Sequence, residues 1–127
     1  MKKIAILVNE DTMQRCSCSG CLGAFSMKKD AFARFQIVFF FFFFIYEENG
    51  EEIELVSFSH SGGDLDKKLE TLKRKGVDVI HLSSCTKSKN DNYEGIAERC
   101  SQDFDVVGYT HGSADGKGKI ALELMKK

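Results

Sequence analysis

Short apolar runs alternate with helix-patterned stretches along this chain, and that alternation constrains the fold more than any other feature. Lys2 to Val8, Ile53 to Phe58, Val77 to Leu82 and Val106 to Tyr109 read as four strands. The first has little polar alternation, as expected of a strand buried on both faces. Between them, Leu22 to Phe35 reads as a helix with Leu22, Phe25, Phe32 and Phe35 on one side. Asp64 caps a second helix to Lys75, with Leu65, Leu69 and Leu72 at i, i+4 and i+7 and Gly76 as its stop. Tyr93 to Gln102 reads as a third, with Ile96 and Cys100 four apart. Strand–helix alternation predicts βαβ units with right-handed crossovers. The expected fold is α/β: a small parallel sheet in order 2-1-3-4 with helices on both faces, a flavodoxin-like three-layer sandwich.

A chain of 127 residues, 43% hydrophobic and 29% charged, supports one globular domain. We place it at 1–112, with an apolar insertion at about 37–50 and a tail, 113–127, in which Ile120 to Met125 forms a short helix. The net charge of −1 offers no broad basic field for nucleic acid or anionic lipid. The apolar run after Met1-Lys2-Lys3 is too short for an export signal, so a cytoplasmic protein is expected. Five cysteines, an odd number, in a reducing compartment favour metal binding or thiol chemistry over a disulfide framework.

Ile37 to Tyr46 is uninterruptedly apolar and contains six consecutive phenylalanines, Phe39 to Phe44. It is too short to span a bilayer, which takes about 20 apolar residues. Asn49-Gly50 is a hairpin signal, so one reading is an edge strand, Val38 to Glu47, antiparallel to Ile53–Phe58. The other is a low-complexity extension of the first helix. In either case the run is a self-association surface if exposed, and the expected protein partner is a second copy of the chain.

In parallel sheets, ligands bind beyond the carboxyl ends of the strands. Cys16, Cys18 and Cys21 follow the first strand, His60 to Asp64 the second, Cys85 the third and His111 the fourth. Three thiols within six residues of a small-residue loop can converge on one soft cation. Equally, they can be ordinary packing residues, and Cys85 can be a buried apolar thiol. The sequence places Cys18-x-x-Cys21 ahead of the helix rather than at its start, so no thioredoxin-like pair is expected. His111 reads as ligand, general base or plain loop histidine. His60 is equally open. His81 and Cys100 read as core. Ser61-Gly62-Gly63-Asp64 is a glycine turn opening a helix, a weak anion-binding signal.

These residues carry a resemblance to the CGGC domain, a small prokaryotic family described as metal-binding. It runs through Lys3-Ile-Ala-Ile-Leu, Cys16-x4-Cys21 with Ala24-Phe25, Ala31-Phe32, Ile53-Glu-Leu-Val, Gly76-Val-Asp-Val-Ile-His-Leu-Ser-Ser-Cys85 and Thr110-His111. The resemblance implies zinc held by cysteine and histidine. It also exposes departures: the naming motif falls on Ser61-Gly62-Gly63-Asp64, without its cysteines. Asn9 and the Asn90-Asp91 region stand where further family cysteines are expected. The surviving candidate ligands are Cys16, Cys18, Cys21, Cys85 and His111, with Asp64 as an oxygen donor. Three functions follow: a zinc-binding domain, a thiol redox protein or enzyme using Cys21 or Cys85, and a non-catalytic binding or assembly protein.

Overall fold

In the computed structural model, residues 1–41, 44–48 and 52–127 are described, with backbone alone for 37–41, 44–48 and 117. Five strands form one sheet in the order β4 (Ile53–His60), β1 (Lys2–Val8), β5 (Val79–Leu82), β6 (Asp105–Val107), β7 (Glu123–Leu124). The first four run parallel and reproduce the expected order. β1 is central because its side chains are apolar on both faces: Ile4, Ala5, Ile6 and Leu7 are fully buried.

Helices cover both faces. On one, α3 (Leu65–Arg74) and α5 (Tyr93–Ser101) press Leu69, Leu72, Ile96, Ala97 and Cys100 against Ala5, Leu7, Ile80 and Val106. Cys100 is thus a core thiol, and burial pushes its pKa up to about 12. On the other face, α2 (Ser19–Met27) and a 3₁₀ turn (Asp30–Phe35) set Cys21, Ala24, Phe32 and Phe35 on Ile4, Ile6, Val79 and Val107. Asp64 caps α3, its carboxylate accepting from Lys67 N at 3.1 Å, and Gly76 ends the turn beyond it at φ +77°.

Four expectations change. The helix expected over Leu22–Phe35 is two pieces, and it begins at Ser19, so Leu22 faces solvent and Cys21 and Ala24 face the core. Two short helices that the sequence did not announce, α1 (Glu10–Met13) and α4 (Ser84–Lys89), lie in the loops after β1 and β5. The tail contributes β7, antiparallel to β6, in place of a helix. Tyr93 fastens it: the hydroxyl donates to Gly108 O at 2.8 Å and accepts from Leu122 N at 3.0 Å. A side chain at Gly108 would collide with that hydroxyl and with Leu122. Finally, the described residues of the phenylalanine run do not pair with β4. They fold on themselves as β2 (Ile37–Phe41) and β3 (Phe44–Glu48), from Ile37 opposite Glu48 to Phe41 opposite Phe44. Asn49 and Gly50 lie outside the described residues.

Candidate functional site

The strand carboxyl ends divide into a thiol side and an amide side. On the thiol side, the loop after α1 delivers Cys16 to solvent and turns inward at Cys18, which occupies the N-cap of α2. Cys18 has φ +63°, a left-handed conformation that non-glycine residues seldom adopt. Its N–H points back to Cys16 Sγ at 3.3 Å, its thiol donates to Cys16 O at 3.8 Å, and its carbonyl accepts from Leu22 N at 3.1 Å. Cys18-Ser19-Gly20-Cys21 therefore does open a helix, contrary to the expectation from sequence. The reason is that α2 starts on Ser19 and Gly20, small residues without an apolar signal.

Cys21 is buried under the first turn of α2, its sulfur 3.1 Å from the fully buried Thr110 hydroxyl. Cys85 is half-buried in the first turn of α4, 2.8 Å from Ser83 Oγ. Ser83 caps α4 through Thr86 N at 3.2 Å, while Ser84 Oγ donates to His111 O at 2.6 Å and accepts from His111 N at 3.3 Å. This sews the loop carrying Thr110 and His111 onto α4. His111 is exposed, and its ring lies against Gly20: a Cβ there would come within 3.2 Å of His111 Nε2.

Burial is the main reason that Cys18 holds its proton more tightly than a free thiol; negative charge on Cys16 and Cys85 adds to it. Burial also pushes Cys21 up to about 11; the Thr110 hydrogen bond opposes this, and negative charge on Cys85, Cys18 and Cys16 reinforces it. Cys21 is therefore protonated at neutral pH.

Below this side lies His81, fully buried and stacked on Phe32 with centroids 4.2 Å apart. Its Nδ1 is 3.2 Å from Tyr109 O, which makes Nδ1–H the donor, and Nε2 has no hydrogen-bond partner among the described residues. Desolvation holds its pKa down at about 3. The ring stays neutral, a core residue as expected.

The amide side has no sulfur. Asn9 and Asn90, the positions where family cysteines are expected, meet each other: Asn90 Nδ2 donates to Asn9 Oδ1 at 3.2 Å. Asn9 Nδ2 in turn donates to Thr12 Oγ1 at 3.0 Å. Ser61 N donates to Val8 O at 2.9 Å, beside Asn9. Lys68 Nζ donates to His60 O at 2.7 Å and Gly62 O at 2.8 Å, and Gly62 N donates to His60 Nδ1 at 3.1 Å. Glu10 packs so closely on Gly62 that a side chain there would overlap its carboxylate. Asp64, engaged as the cap of α3, faces solvent.

The family model of the CGGC domain matches residues 3–111. The chain belongs to the CGGC domain family. This family is associated with metal binding. Neither a curated protein nor a solved structure matches the chain. In this CGGC domain the donor chemistry at the thiol side suits a soft cation, since Cys16, Cys18, Cys21 and Cys85 all stand on that side and sulfur is a soft donor. Among the described residues, however, no three His, Cys, Asp or Glu side chains are grouped so as to hold one ion. No helix among them is long and apolar enough to cross a membrane.

Thr110, Ser83 and Ser84 are the site residues that sequence reading passed over. Their signal was position: they lie within two residues of Cys85 or His111, inside segments that carry the family resemblance.

Proposed function

We propose that this CGGC domain binds a soft divalent cation, zinc first, at the thiol side of the strand carboxyl ends. The supporting observation is that Cys16, Cys18 and Cys21 stand together at the start of α2, Cys21 on Thr110, while Ser84 bonds the Thr110–His111 loop onto α4, which carries Cys85. Cys16, Cys18, Cys21 and Cys85 supply thiolate sulfur, and His111, lying on the first turn of α2, supplies nitrogen. Asp64 is left out, because its carboxylate already caps α3. A cation is bound by thiolate rather than thiol, so binding displaces the protons that burial holds on Cys18 and Cys21 and tightens as pH rises. The exposed Cys16–Ser17 segment moves inward to complete the shell.

The test pairs metal analysis of purified protein with a thiol titration in the presence and absence of chelator. One zinc per chain, with at least three thiols shielded until chelator is added, supports the reading. Metal-free protein whose thiols react identically under both conditions, after incubation with zinc, overturns it.

A further inference from the structure

The Cys16-Ser17-Cys18 turn is closed from both sides. The Cys18 N–H meets Cys16 Sγ at 3.3 Å, and the Cys18 thiol reaches back to Cys16 O at 3.8 Å. Two Cα–Cα steps of about 3.8 Å bound the pair's Cα separation at about 7.6 Å, and folding by this turn shortens it toward the roughly 4.4–6.8 Å that a disulfide spans. The two sulfurs differ in access: Cys16 is exposed and Cys18 is buried. That division separates an entry thiol, open to a reagent, from a resolving thiol that a reagent does not reach.

We propose that the chain performs thiol–disulfide exchange with small-molecule disulfides, Cys16 attacking and Cys18 resolving. Cys16 thiolate attacks one sulfur of R–S–S–R, forming Cys16–S–S–R and expelling RS⁻. Cys18 then loses its proton and attacks Cys16 Sγ, breaking the bond to the second RS⁻. Two electrons pass from two protein thiols to the small disulfide, two R–SH leave, and a Cys16–Cys18 disulfide remains. The inference goes beyond metal binding and holds for the metal-free chain, so it stands or falls independently of zinc.

The experiment uses reduced, chelator-treated full-length protein mixed with oxidised glutathione at about pH 8.5, where free thiols are near half ionised. Acid-quenched samples are alkylated and mapped by mass spectrometry. The expected product is a Cys16–Cys18 disulfide, preceded by a glutathione adduct on Cys16. Cys18→Ser should trap that adduct, and Cys16→Ser should slow thiol loss at least about tenfold. Cys100→Ala, in the opposite core, should react like the parent. Circular dichroism establishes that each variant is folded, and the parent's own peptide map reports the pair without any substitution. A first adduct on Cys21 or Cys85, a disulfide excluding Cys16, or Cys16→Ser reacting at the parental rate overturns the proposal.

Discussion

The two sides of the sheet's carboxyl end sit on the same strands and differ in how their polar atoms are satisfied. On the amide side, Asn9, Asn90 and Thr12 hydrogen-bond one another, and Lys68 closes the β4–α3 turn through two carbonyls. Amides, ammonium and carbonyls are strong partners, so that side has spent its bonding capacity on the fold. On the thiol side, Cys21 and Cys85 each meet a hydroxyl, and Cys16 reaches solvent. Thiols are weak donors and acceptors, so sulfur there keeps its capacity for a cation or another sulfur. One side stabilises the domain and the other stays chemically available.

Acid should break this contrast most strongly, from beneath the thiol side. His81 is neutral in the fold down to about pH 3, whereas the unfolded chain protonates it below 6.5. Its contribution to stability is complete above 6.5 and is lost as pH falls toward 3. The slope in that window approaches about 1.4 kcal/mol per pH unit for one proton. Urea unfolding of chelator-treated protein should show this slope, and His81→Phe should remove its share. An unchanged slope in that variant contradicts the neutral core histidine.

A smaller effect tests the amide side. Asn9→Ala removes the acceptor of Asn90 and the donor to Thr12 and should cost about 1–2 kcal/mol, equally with zinc and with chelator. Equilibrium denaturation in both buffers measures it; a cost that appears only with zinc would place Asn9 among the ligands. Smaller still, Asp64→Ala should lose about 1 kcal/mol through the α3 cap while leaving zinc affinity as in the parent. Weakened zinc binding in that variant, by competition with a chromophoric chelator, would return Asp64 to the site.

Much of this architecture was legible in the sequence. Four apolar runs and three helical stretches gave the strand order, because burial on both faces demands an apolar β1 and the crossover rule fixes the rest. Asp64 and Gly76 marked α3 at both ends because cap chemistry is local. The start of α2 was hidden, since Cys18 caps it without a side-chain hydrogen bond and in a left-handed conformation no pattern announces. Helix α4 was hidden by its length, six residues, although Ser83 is an ordinary capping residue. β7 was mistaken for helix because its pairing with β6 is a tertiary event that Tyr93 secures from a distance. Among the site residues, position relative to the strands was readable. The contact between Asn9 and Asn90, 81 positions apart in the chain, was not.

The most direct test of the central claim compares melting temperatures in zinc and in chelator for the parent and for Cys85→Ser. A ligand that binds only the folded state at one hundred times its Kd adds about 2.7 kcal/mol, on the order of 10 °C for a domain of this size. The account predicts that shift in the parent and its loss in Cys85→Ser, with the two proteins melting within a few degrees of each other in chelator. Equal melting temperatures for the parent in zinc and in chelator would contradict it.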